Sequence, residues 1–145
     1  MSMQIKQERS IYAVRLERGE DFIETLKVWA RRERVTGAAI LGGIGMFDNP
    51  RLGYFTGTDG IYEFTTFEGC FECLSLQGNI AWLSDEPIIH CHAVLGREDF
   101  TVFGGHLASA TVAATIEMFI RLVDPSAIRM YRKLEQSGLA GLYIE

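Results

Sequence analysis

All three histidines of this 145-residue chain, His90, His92 and His106, fall within one stretch, IIHCHAVLGREDFTVFGGHLAS, at residues 88–109. Neutral imidazole is the commonest side-chain ligand for transition metals, and a His-x-His pair on a strand turns both rings to one face, about 6.6 Å apart by strand rise. Cys91 then faces the other way. A three-residue hairpin loop at 97–99 would pair Gly96 with Phe100, and therefore His90 with His106 and His92 with Gly104. Directly opposed Cβ atoms lie about 5 Å apart, close enough for three imidazoles to share one ion at metal–nitrogen distances of about 2.0–2.1 Å. Three neutral nitrogens favour Zn²⁺, and the same ligand type accepts Ni²⁺, Cu²⁺, Fe²⁺ or Co²⁺. A fourth position would stay open for water or a small substrate. In this register Gly104 and Gly105 would leave the room that an ion and its water need.

Other motifs carry less chemistry. Cys70 and Cys73 have the Cys-x-x-Cys spacing, but residues three apart on a strand point to opposite faces, and no second pair exists; a structural role is expected. LGGIGMFD lacks the Lys-Ser/Thr of a phosphate loop and has Asp48 where a dinucleotide fingerprint needs its third glycine, so close backbone packing is expected there. Ser84, Ser109 and Thr111 flank the histidines without a positioned base and acid, which leaves a Ser-His-Asp reading unsupported. Glu72, Asp85 and Glu86 are the carboxylates to inspect as outer-shell or general-base groups. A cupin-type site would need a Glu four or five residues after the second His of the pair; Gly96 and Arg97 stand there, and Glu98 comes one position too late.

The elements that must position the histidines follow from periodicity. IYAVRLERG alternates as a first strand, ended by Gly19. From Glu20 to about Arg34, Phe22, Ile23, Leu26, Trp29 and Ala30 recur at helical spacing, with acidic residues in the first turns and arginines in the last, as the helix dipole favours. TGAAILGGIGMF reads as a short buried strand. Further strands are expected near 52–56, 61–67, 70–77 and 79–83, with TGTDG and QGN as connections, followed by PIIHCHAVL and FTVFGGH around GRED. ATVAATIEMFIRLV fits either period, and its unbroken alternation and β-branched content favour a strand. DPSAIRMYRKLEQSGL is expected to be a short closing helix, capped by Ser126 and stopped by Gly138.

This length suits a single domain spanning residues 1–145 with one core. No apolar run approaches the roughly 18 residues of a membrane span, and MSMQIKQERS does not resemble a signal peptide. Three irregularly spaced cysteines agree with a reducing compartment, so a cytoplasmic location is expected. The net charge of −5 lacks the basic footprint that binding to nucleic acid requires.

Taken in order, YAVRLERGEDF, AAILGGIGMF, GCFECLSLQGNIA, PIIHCH, GGHL and SGLAGLYI resemble the plants-and-prokaryotes-conserved (PPC) domain from about Ser10 to Leu142. The resemblance implies an α+β fold, a largely antiparallel β-sheet flanked by a few helices, and assembly into homotrimers. It also implies a bound-metal site at His90, His92 and His106 in stand-alone prokaryotic members. Plant members carry AT-hook segments beside the domain. This chain has no Arg-Gly-Arg-Pro hook and has Cys70 where the plant core has Arg, so direct DNA binding is not expected, although relatives often bear a DNA-binding label. Two readings follow: a zinc-binding assembly or regulatory module, and a metal-dependent enzyme that activates water or a small-molecule substrate.

Overall fold

The computed structural model describes residues 3–57 and 60–145. Among these residues nine strands and one helix follow each other as β1 (Gln4–Glu8), β2 (Ile11–Glu17), α1 (Phe22–Arg32), β3 (Gly37–Phe55), β4 (Tyr62–Thr66), β5 (Cys70–Leu83), β6 (Glu86–Gly96), β7 (Val102–Leu122), β8 (Met130–Leu134) and β9 (Ala140–Ile144). All nine strands belong to one sheet, antiparallel except where β5 meets β8 at Trp82 and Tyr131. The expected α+β arrangement is thus mostly antiparallel sheet, and among the described residues one helix stands where a few were expected. No described helix is long and apolar enough to cross a membrane.

The helix forms where its apolar spacing places it. Asp21 caps it by accepting the Glu24 backbone N–H at 2.9 Å, and Arg31 and Arg32 occupy the last turn. Its apolar stripe of Phe22, Ile23, Leu26, Trp29 and Ala30 is buried, with the Phe22 ring edge-on to Phe47 at 5.2 Å between centroids.

Two long, bent strands organise the sheet. β3 pairs with β7 along most of its length, with register shifts at four places. β3 also pairs with β5, β5 with β6, and β6 with β7, so these four ladders form a closed circuit. Along the second half of β7, Val112, Ile116, Met118 and Ile120 are buried while Glu117, Phe119 and Arg121 are exposed, which is the alternation that favoured a strand. The expected strand at 52–56 is the tail of β3 rather than a separate element. Thr58 and Asp59 of the expected TGTDG turn lie outside the described residues, as do Met1 and Ser2. QGN is not a connection, for β5 runs straight through it. Gly78 is required by close approach of β6: a Cβ there would lie 2.0 Å from the His90 carbonyl oxygen.

The closing helix is absent. β8 and β9 form a hairpin, with Met130 paired to Ile144 and Leu134 to Ala140. Docking overrides helical propensity here, because strand alternation buries Arg132 and stacks Tyr131 on Tyr143. Ser126 caps nothing; its backbone N–H and hydroxyl both donate to Asp124. Gly138, at φ 81°, turns the hairpin. β1, which has no clear apolar alternation, is held by its ladder to β2.

LGGIGMFD is a packing feature, as expected. Gly45 has φ 147°, and a Cβ on it would lie 1.9 Å from the Thr115 carbonyl oxygen of β7. Gly45→Ala is therefore expected to lower the unfolding free energy by about 2–4 kcal/mol in urea denaturation. A loss below about 0.5 kcal/mol, the size of a neutral surface change, would mean that β3 and β7 part there without cost.

Candidate metal centre

β6 alternates cleanly. Ile89, Cys91, Ala93 and Leu95 are buried, while His90, His92 and Val94 occupy the opposite face. The β6–β7 ladder pairs His92 with His106, Ala93 with Gly105 and Gly96 with Val102. The register therefore differs by two residues from the one expected from a three-residue loop: His106 stands across from His92, not His90, and Gly104 across from Val94. The loop spans residues 97–101, where the Arg97 and Thr101 backbones bond at 2.9 Å and Phe100 takes φ 65°. A shift of two keeps every side chain on its face, so His106 still joins the other two.

One ligand nitrogen from each of His90, His92 and His106 can be chosen so that all three lie within 4.8 Å of one another. Ring centroids are 5.2 Å apart for His90 and His106, 5.3 Å for His90 and His92, and 5.7 Å for His92 and His106. Ligands on one tetrahedral ion are about 3.4 Å apart, so closure on the order of an ångström brings these donors to bonding geometry. Nδ1 of His106 is buried without a hydrogen-bond partner, an orphan that a cation would satisfy. Gly104 makes room for backbone rather than for an ion, since a Cβ there would meet the Ala93 carbonyl oxygen at 2.4 Å.

Residues from four other strands, β3, β4, β5 and β8, surround the cluster. Phe64, Gly53, His106, His92 and Gln77 are successive partners across β4, β3, β7, β6 and β5. A Cβ on Gly53 would come within 2.8 Å of the Phe64 ring and 3.0 Å of Tyr62. Glycine there lets the Tyr62 ring approach His106 at 5.0 Å between centroids. On the other flank Asn79 is the partner of His90, and its side-chain oxygen accepts from the Arg132 guanidinium, which also donates to the Ala140 carbonyl. A cleft of about 670 Å³ joins these parts, lined by His90, His106, Asn79, Arg132, Tyr62 and Phe64 among others. Arg132 hides in a segment whose composition reads as helical, and Tyr62 and Phe64 look like ordinary strand residues; only tertiary pairing brings them to the histidines.

The remaining candidates stand elsewhere. Glu86 is bound to α1 by Arg31 and by Lys27 at 3.1 Å, and these hydrogen bonds hold its carboxyl below the usual range. Glu72 lines a different cleft with Cys70 and Arg97, and Asp85 sits in the β5–β6 turn. Ser84 is in that same turn, while Ser109 and Thr111 lie on β7 past the register shift that separates the Leu52–Leu107 and Arg51–Ser109 pairs. Cys70 is exposed and Cys73 buried, and burial pushes the Cys73 and Cys91 thiols up to about 12, far from the thiolate that a metal binds.

The profile of the Plants and Prokaryotes Conserved (PCC) domain, also abbreviated PPC, matches residues 3–124. The chain belongs to this family. It is 31% identical to a plant- and prokaryote-conserved protein of Pyrococcus horikoshii, with a TM-score of 0.81 over 95% of this chain and 92% of that one. Two more distant structures share the PPC fold. One, from Bacteroides thetaiotaomicron and provisionally described as DNA-binding, is 23% identical with a TM-score of 0.89, covering 99% of this chain and 98% of its own. The other, a metal-containing protein of Archaeoglobus fulgidus, is 24% identical with a TM-score of 0.81, covering 100% and 99%. No curated protein matches the sequence.

In this PPC chain, burial, then the Arg132 charge, then the neighbouring imidazoles lower the His90 pKa to about 4. Burial first, then His92 and Arg132, lower that of His106. Neutral rings ready to ligate therefore persist below the ordinary imidazole range. Between pH 6.5 and 4 the unfolded chain binds more protons than the folded one, so the stabilising contribution is full above about pH 6.5 and is lost as pH falls toward 4. NMR titration of the metal-free protein should place the His90 midpoint near 4, rising in Arg132→Gln. A midpoint at the free-imidazole value of about 6.5 would contradict this desolvated geometry.

Proposed function

We propose that this single-domain PPC protein binds one Zn²⁺ through His90, His92 and His106 and acts as an assembly or regulatory module in a homotrimer. One observation carries the reading: three imidazole donors from two paired strands stand within 4.8 Å of one another on one face. The orphaned Nδ1 of His106 supports it, and the metal-containing description of the Archaeoglobus fulgidus protein agrees with it. Other divalent transition metals suit the same ligands. Assembly is supported by apolar side chains exposed beyond the histidines, among them Leu74, Val94, Val102 and Phe100, the last 92% exposed on its loop. Direct DNA binding is opposed by the net charge of −5.

The cleft favours a second reading, a metal-dependent enzyme acting on a small molecule. A bound Zn²⁺ with an open position would activate water or polarise a carbonyl. Around it, Asn79 and Arg132 would orient a substrate, Tyr62 and Phe64 would exclude water, and Glu135 is a carboxylate lining the same cleft.

Calorimetric titration with Zn²⁺ should give one ion per chain, and His92→Ala should weaken binding by roughly 100-fold or more, since it removes a ligand and leaves two. Light scattering should give three times the 16.3 kDa chain mass. Equal zinc uptake by the wild type and His92→Ala would end the metal reading, and a monomer mass would end the trimeric one.

A further inference from the structure

Arg132 is 6% exposed, yet among the described residues no carboxylate reaches it. Its two terminal nitrogens donate to neutral acceptors, the Ala140 carbonyl and the Asn79 side chain, and its Nε–H is buried with no partner. A guanidinium keeps its charge in proteins, and a buried charge facing only neutral dipoles is costly unless something else compensates it. The other charges of the cleft do not compensate it. Lys27 is engaged by Glu24 and Glu86, and the Glu135 carboxylate lies against Gly141.

Arg132 is also fixed in direction. Its bond to Asn79 anchors the fork beside the partner of His90, and the cleft it lines contains His90 and His106. The rest of the wall is largely apolar, with Tyr62, Phe64, Ile88 and Leu139. One unpaired guanidinium matches one negative charge, its planar fork matches a carboxylate, and the rings match a hydrocarbon body.

We propose that this cleft binds a small organic monocarboxylate, its carboxylate on Arg132 beside the three histidines and its apolar or aromatic body against Tyr62 and Phe64. The inference deepens the metal-site reading by naming the ligand class, and it rests on that reading only for the part the ion would play.

The probe is sodium benzoate, with inorganic phosphate and sodium chloride run in parallel, on ¹⁵N-labelled wild-type protein with and without one equivalent of Zn²⁺. The readout is the arginine Nε–H signal of Arg132, assigned through its absence in Arg132→Lys. Benzoate is expected to shift that signal saturably in the zinc-loaded protein, at least tenfold more tightly than phosphate, and chloride to leave it in place. Arg132→Lys, which keeps the charge and loses the fork, should weaken benzoate about tenfold, read in both proteins from the backbone amide shifts of cleft residues such as Asn79 and Leu139, with zinc stoichiometry unchanged. The signal staying fixed up to about 10 mM benzoate (RT ln K at that level being too weak for a built site) overturns the proposal. Tighter binding of phosphate, or a signal that moves with protein concentration because a second chain supplies the anion, overturns it as well. Failure of zinc uptake with benzoate still shifting Arg132 would remove the metal reading and leave the carboxylate site standing; zinc uptake without a benzoate response would remove the carboxylate site alone.

Discussion

The site depends on the hydrogen-bonded ladder between β6 and β7. Backbone bonding fixes His92 across from His106, and the two-residue side-chain period returns His90 to the same face. No flexible loop contributes a donor. His92 and His106 stand where their strands are paired on both sides, β6 between β5 and β7, and β7 between β6 and β3, while His90, two residues before the β6–β7 ladder begins, is held by its pairing with Asn79 of β5. A ligand set built this way is prepared before an ion arrives, which lowers the ordering cost of binding.

That preparation has a cost in the metal-free chain. Burial first, then Arg132 and the neighbouring imidazoles, favours the neutral forms of His90 and His106, and Nδ1 of His106 is buried without a hydrogen-bond partner. The surroundings tolerate this because the fold supplies aromatic cover on one flank and a polar anchor on the other. Gly53 admits Tyr62 and Phe64 across β3, and Asn79 links His90's neighbouring strand to the β8–β9 hairpin. The neutral His90 and His106 rings beside an uncompensated Arg132 guanidinium are the features on which the proposed cation and anion would draw.

The histidines were legible because strand alternation is a local rule. It makes His90 and His92 share a face whatever the rest of the sheet does, and a register error of two residues leaves His106 on that face. The exact partner was not legible, since it depends on whether the GRED turn closes over three residues or five, a choice made by the Phe100 backbone and not by composition. α1 was readable from a long apolar stripe at helical spacing, whereas the second half of β7 fitted either period and was read as strand from its unbroken alternation and β-branched content; that it continues FTVFGGH as one strand was not legible. The closing hairpin was not, because RMYRKLEQ has helical propensity and becomes strand only by docking Tyr131 beside Trp82 and burying Arg132. QGN misled for a related reason: a glycine that admits a neighbouring backbone looks in sequence like a glycine that turns the chain. Arg132 reaches the histidines through β8 on β5, and Tyr62 and Phe64 through β4 on β3, and no spacing rule connects the two.

X-ray absorption at the zinc edge on the loaded protein tests the central claim most directly. Three imidazoles sharing one ion predict a first shell of nitrogen or oxygen at about 2.0–2.1 Å with the outer-shell multiple scattering of about three histidine rings. A sulfur shell near 2.3 Å, or a first shell without imidazole scattering, would place the metal elsewhere and contradict the site built on β6 and β7.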